Sequence, residues 1–151
     1  MGADDQSRIV HVAPGPVGLY QPFVRCGKLL ALSAISSARD GKLITGKLGR
    51  DLDLQSGQIA ARNAAENLLA ILSDAVGGDF SRIEQILFVR GYVNAADDFH
   101  FVHKVIDAAS ELIVDRLGDR GQHARTALGC ATLPNNNAVT IDAMVVIANS
   151  A

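Results

Sequence analysis

Between Ser56 and Val76, apolar residues return at three- and four-residue steps. Ala61, Ala64, Ala65, Leu68, Leu72, Ala75 and Val76 form one stripe, and Arg62, Glu66 and Asp74 stay off it. That period predicts a helix with a single buried face, ended by Gly77-Gly78. A second stripe, Val102, Ile106, Ala109, Ile113 and Leu117, predicts another helix, with Asp97 or Asp98 as its N-cap and Gly118 as its stop. Between the two stripes the pattern changes. Ile86-Leu-Phe-Val-Arg-Gly-Tyr-Val93 is β-branched and aromatic and predicts a strand, although Ser81-Arg-Ile-Glu84 just before it spells a helix-capping box.

The first third of the chain reads as strands and turns. Ile9 to Val12 alternates weakly as a short strand, and Pro14-Gly-Pro16 with Gly18 forces a loop that delivers Tyr20. Phe23-Val-Arg-Cys26 and Leu29-Leu-Ala-Leu-Ser33 flank Gly27-Lys28 and predict a hairpin. Asp40-Gly41 marks a second tight turn, followed by the strand-like run Lys42-Leu-Ile-Thr45. Two more strand-like runs close the chain, one from His123 to Pro134 and one from Val139 to Ile147. Strands, helix, strand, helix, two strands is the order of an α+β domain, a mixed β-sheet with two helices packed on one face. The 151 residues fit a single domain, 1–151, with about residues 1–8 as a flexible lead. No further helix is available for the second sheet face. A second copy of the chain is expected to cover it, because an apolar sheet face in water is a large exposed patch.

Charge narrows the partners. Fourteen basic against sixteen acidic residues give a formal charge of -2, with no Lys/Arg-rich block. That is not the footprint of a nucleic-acid binder, so RNA is not expected as a partner. Cys26 and Cys130 form no CxxC pair and read as small core residues of a protein in a reducing compartment. The polar, acidic N-terminus lacks a secretory pattern and no apolar run is long enough to span a membrane, so a soluble, cytoplasmic protein is expected.

The two closing strands each carry one ionisable residue where the pattern asks for an apolar one. Arg125 offers a planar fork of donors that can grip a carboxylate through charge-assisted hydrogen bonds of about 1.5–3 kcal/mol each. Alternatively it forms a structural salt bridge, with Asp142 as the first candidate partner. Asp142, between Ile141 and Ala143, could orient or deprotonate a water, or could face outward beside Thr140 and Met144. His100 and His103 lie three apart on the second helix, but without a His-Glu-x-x-His signature no metal is expected, and His103 reads as a surface or pocket-wall residue. Ser33 lacks a Gly-x-Ser-x-Gly elbow and reads as a hydrogen-bonding wall. Tyr20 is either a ring over a ligand or a surface anchor. Gly46-x-x-Gly49 lacks the Lys-Ser/Thr of a phosphate loop.

Taken together, several segments resemble the Rid (YjgF) family, whose founding activity is hydrolysis of reactive enamines and imines. They are Pro16-Val-Gly-Leu-Tyr20, Gly27-Lys-Leu-Leu-Ala-Leu-Ser33, Asn63-Ala-Ala-Glu-Asn67, Phe88-Val-Arg-Gly-Tyr-Val-Asn94, Ala124-Arg125 and Ile141-Asp142-Ala143. The longer Asn94-Ala-Ala-Asp-Asp-Phe99 connection and the spelling His123-Ala-Arg125 are more similar to a chorismate-mutase-like sub-branch. The resemblance implies a chorismate-mutase-like α+β subunit assembled as a homotrimer, with clefts between subunits and no cofactor. It further implies that Arg125 holds a substrate carboxylate, that Tyr20 and Ser33 line the pocket, and that Asp142 places a water on the imine carbon. A small carboxylate metabolite would enter, and a 2-oxo acid and ammonia would leave. Four positions depart from the family pattern. Ser-Gly-Gln is Ser33-Ala34-Ile35, the glutamate is Asp142, the cysteine after the arginine is Ala127, and the second-helix asparagine is His103. The change from Gly-Gln to Ala34-Ile35, which adds a methyl and removes an amide, favours a binding module without catalysis as the alternative function.

Overall fold

Each predicted helix forms, and only the first is capped by a side chain. In the computed structural model, which describes residues 11–149, helix α1 spans Leu54–Ala75. Its N-cap is Asp53, whose carboxylate accepts from the Ser56 N–H at 2.8 Å. At the other end Gly77 and Gly78 adopt left-handed backbone, and the Gly78 N–H returns to the Ser73 carbonyl at 2.8 Å. Helix α2 spans Val102–Leu117, starting later than either aspartate cap predicted: Phe101 is the N-cap and no side chain closes it. Phe99 explains the delay. Its ring packs against the core and edge-on to Phe101 at 6.0 Å, which holds the segment before Val102 out of the helix.

Five strands form one sheet in the order β1-β2-β5-β3-β4: β1 Phe23–Cys26, β2 Leu29–Ser36, β3 Ile83–Asn94, β4 Ala124–Cys130 and β5 Val139–Ile147. The β3–β4 pair is parallel and the rest are antiparallel, so the sheet is mixed. Gly27, in left-handed backbone, makes the β1–β2 turn. The capping-box spelling at Ser81 gives only one 3-10 turn, Phe80–Arg82, capped by Asp79, before β3 starts at Ile83. The predicted strand over Lys42–Thr45 is corrected to isolated bridges, Arg39 with Lys42 and Thr45 with Asn137. Strand β2 runs on past Ser33 to Ser36 through a bulge between Leu32 and Ile35. Of the weak Ile9–Val12 run, Ile9 and Val10 lie outside the described residues, as does the lead over residues 1–8, while His11 and Val12 form no strand.

Strand alternation sorts the sheet into two faces. Leu30, Leu32, Ile35, Val89, Val93, Ile141, Ala143 and Val145 are buried in one core with the apolar stripes of both helices. Gly91 belongs to that face because Ile106 of α2 lies directly over it: a Cβ there would sit 2.5 Å from the Ile106 side chain. On the other face Val24, Leu29, Leu128 and Met144 are 61, 43, 50 and 42 % exposed. Cys26 is exposed and Cys130 half-buried, which corrects their reading as core residues.

Candidate functional site

The bulge in β2 and an unusual loop before β5 together build a cavity. Asn135 and Asn136 both take left-handed backbone, which asparagine tolerates better than most residues, and this tight passage carries the chain from Pro134 into β5. Asn137 is buried and ties the loop down: its side-chain oxygen accepts from the Ser37 hydroxyl at 2.9 Å and its amide donates to the Val139 carbonyl at 2.6 Å. Asn67 of α1, also fully buried, donates to the carbonyls of Ser36 and Ala38, both at 2.8 Å. The segment after β2 is thereby fixed from behind.

The result is a cavity of about 520 Å³ whose walls include Tyr20, Ser33, Ala34, Ser36, Pro134 and Thr140. Hydroxyls and amides supply its polar groups, and among the described residues none that lines it is charged. Ser33 Oγ donates to the Gln21 carbonyl at 2.6 Å, which leaves the oxygen lone pairs free to accept from a bound molecule. Three of the predicted pocket residues, Tyr20, Ser33 and Ala34, are therefore brought together. Ser36, Pro134 and Thr140 are wall residues with no sequence signal of their own, although Thr140 is placed by alternation on the same side of β5 as Asp142.

Asp142 and Arg125 are not neighbours, which corrects Asp142 as the candidate salt-bridge partner of Arg125; that partner is Asp107. In register, Arg125 lies opposite Val89 and so faces the helices, whereas Asp142 lies opposite Arg90 on the bare face. Asp142 is only 9 % exposed. One carboxylate oxygen accepts from Arg90 Nε at 2.8 Å and the other from the Tyr92 hydroxyl at 3.3 Å. Burial, and then the negative charge of Asp142, push the Tyr92 hydroxyl pKa above its ordinary value. Asp142 is not among the residues lining the cavity.

Arg125 belongs to a second, shallower hollow with Asp107, Ser110, Gln122 and His123. Nη1 donates to Asp107 Oδ1 at 2.8 Å and to Ser110 Oγ at 3.2 Å, and Nη2 reaches the His103 carbonyl at 3.4 Å. A guanidinium carries five N–H groups, so Nε–H and one Nη2–H keep no partner among the described residues. His103 contributes through its backbone; its ring is exposed and tilted 6.4 Å from that of Phe101. Ala127 lies opposite Gly91 and packs against the core, outside both hollows. Asp107 and Ser110, three apart on α2, were legible only as polar positions off the apolar stripe.

A mixed five-stranded sheet with two helices on one face, and a hydroxyl-lined cavity at the margin of the other, defines the chorismate-mutase-like class of α+β proteins. The chain belongs to the family described as "YjgF/chorismate mutase-like, putative endoribonuclease", whose model matches residues 7–146. Protein TCP17 of Trypanosoma cruzi is 34 % identical over 139 residues, 91 % of this chain and 86 % of that protein. Among solved structures, Atu1372 from Agrobacterium tumefaciens is 43 % identical with a TM-score of 0.83, covering 85 % of this chain and 82 % of that one. A putative endoribonuclease from Shewanella oneidensis is 30 % identical with a TM-score of 0.86, covering 93 % and 92 %.

Proposed function

We propose that the protein hydrolyses small carboxylate-bearing imines or enamines to a 2-oxo acid and ammonia, in clefts completed where copies of the chain meet as a homotrimer. One observation carries this reading: a single chain holds two half-sites that a small molecule cannot bridge. Ser33 is on β2 and Arg125 on β4, three strand spacings apart, or about 14 Å at roughly 4.8 Å per spacing. The two also sit on opposite sides of the sheet's core. A neighbouring copy that brings its Arg125 to the cavity would supply the anion anchor that the uncharged walls lack, and its contact would cover the bare sheet face.

The chemistry then needs orientation and one water. An imine carbon is already electrophilic; water adds to it, the nitrogen takes a proton, and the carbinolamine expels ammonia as the carbonyl forms. A water donating to the Ser33 oxygen keeps a lone pair free for that attack, and Arg125 fixes the carboxylate next to the reacting carbon. Asp142, with both oxygens engaged by Arg90 and Tyr92, acts in this scheme as a brace of the wall strand, with Thr140 two residues earlier facing the cavity. Ammonia release from freshly generated 2-iminopropionate or 2-iminobutyrate should be rapid in the wild type and fall to background in Arg125→Ala. Equal background rates in both would remove the proposal, as would a monomer by light scattering.

No carboxylate lines the cavity among the described residues, which favours a second reading, a non-catalytic module that binds small acids. Calorimetric binding of 2-oxo acids with no turnover across an imine panel would select it. For the ribonuclease named in the family description, RNA cleavage that survives rigorous repurification and disappears in Arg125→Ala would be the deciding result.

A further inference from the structure

The hollow around Arg125 contains a directional chain of hydrogen bonds. His123 Nδ1 lies 2.6 Å from the Gly121 carbonyl oxygen, which can only accept, so Nδ1 carries the proton. In the neutral ring Nε2 is then an acceptor, and the Ser110 hydroxyl, 3.0 Å away, must donate to it. With its proton committed, Ser110 Oγ presents a lone pair to the Arg125 Nη1–H at 3.2 Å. Each polarity follows from the one before. Burial favours the neutral ring that this order requires, opposed by the bond to Gly121 and reinforced by the Arg125 charge.

Ser110 is unusual for a hydroxyl in the middle of a helix. Such groups commonly bond the carbonyl one turn back; here the hydroxyl is spent on His123 and Arg125, across the gap to β4. The charged groups facing the imidazole are Arg125 from β4 and Asp107 from α2, which line the same hollow. Arg120, in the turn before it, is committed to the carbonyls of Phe80 and Ile83.

We infer that His123 and Ser110 are positioning residues: the His123–Ser110 relay, with Asp107, holds the Nη1 end of Arg125 so that its Nε–Nη2 edge is presented to a ligand carboxylate. The inference rests on the reading of Arg125 as the carboxylate anchor. Its first test is a double-variant cycle on the dissociation constant of 2-oxobutyrate, measured by calorimetry on the full chain, with folding checked by circular dichroism. Ser110→Ala and His123→Leu should each weaken binding about two- to tenfold, the range for one lost hydrogen bond. Because His123 acts through Ser110, the double variant should bind no worse than Ser110→Ala. His123→Gln, which keeps an acceptor, should return towards wild type. Additive losses would overturn the relay.

The second measurement needs no ligand. Ser110 donates to the neutral imidazole only, so Ser110→Ala should raise the His123 titration midpoint in NMR spectra of the free protein; an unchanged midpoint would overturn the relay. If Arg125→Ala binds 2-oxobutyrate like the wild type, the anchor reading fails instead, and the NMR shift still decides whether the relay exists.

Discussion

Gly91→Ala probes the contact that sets the height of α2 over the sheet, and with it the reach of Asp107 and Ser110 to Arg125. The added Cβ would lie 2.5 Å from Ile106 Cδ1 and Cγ1 and 2.9 Å from Cγ2. Ile106 is fully buried and β-branched, so it cannot swing aside cheaply. Overpacking of this kind costs about 1–3 kcal/mol, and replacing glycine returns about 0.4–1 kcal/mol by restricting the unfolded chain. The net expectation is a loss of roughly 1–2 kcal/mol. Urea denaturation at one fixed protein concentration would read it as a lower midpoint with unchanged slope. Ile106→Val supplies the decisive comparison, because it removes the Cδ1 methyl, one of the two atoms 2.5 Å from the new Cβ. Alone it should cost about 0.5–1.5 kcal/mol. In the Gly91→Ala background it should cost less, because part of the overlap is relieved while Cγ1 and Cγ2 stay. A Gly91→Ala protein as stable as the wild type, or an Ile106→Val cost that is the same in both backgrounds, would refute the reasoning.

Asn67→Ala should orphan the Ser36 and Ala38 carbonyls, at about 1–3 kcal/mol for each group left unsatisfied, and should weaken 2-oxo acid binding through the cavity wall they support; denaturation and calorimetry check both. Ala34→Leu, at an exposed wall position, should fill the cavity and weaken the same ligand while leaving the melting temperature unchanged. The Tyr92 hydroxyl should ionise above its ordinary value, so the stability tied to it is present below about pH 10 and is lost as pH rises through the folded pKa. Ultraviolet titration, with Tyr92→Phe as the subtraction, should show that pKa falling in Asp142→Asn. The Asp53 carboxyl is held below its usual range by the Ser56 hydroxyl and N–H. Its contribution is present above about pH 4 and lost as pH falls through the lower folded pKa, a loss that should be absent in Asp53→Asn.

Much of this protein was written in local patterns, for a physical reason. The stripes of α1 and α2, the Gly27-Lys28 hairpin and the strand around Phe88–Val93 each follow from a periodicity or a turn that acts within a few residues, and such signals survive in the linear chain. The side of β5 that Thr140, Asp142 and Met144 share was readable too, because alternation is fixed by the pleat. Boundaries were less so: Phe99 had to find its packing site before the start of α2 was set, and no dipeptide reports that.

What only the tertiary structure decided is which side chains meet. Arg125 and Asp142 looked like partners because both interrupt apolar strands, yet register places one towards the helices and the other on the bare face. A shift of one residue in pairing would reverse either assignment, and pairing is a long-range property. The side-chain partners that did emerge, Asp107 and Ser110 for Arg125 and Arg90 with Tyr92 for Asp142, lie 15 to 52 residues away along the chain. Sequence alone supplied the ionisable groups; the fold chose the geometry in which their charges are satisfied.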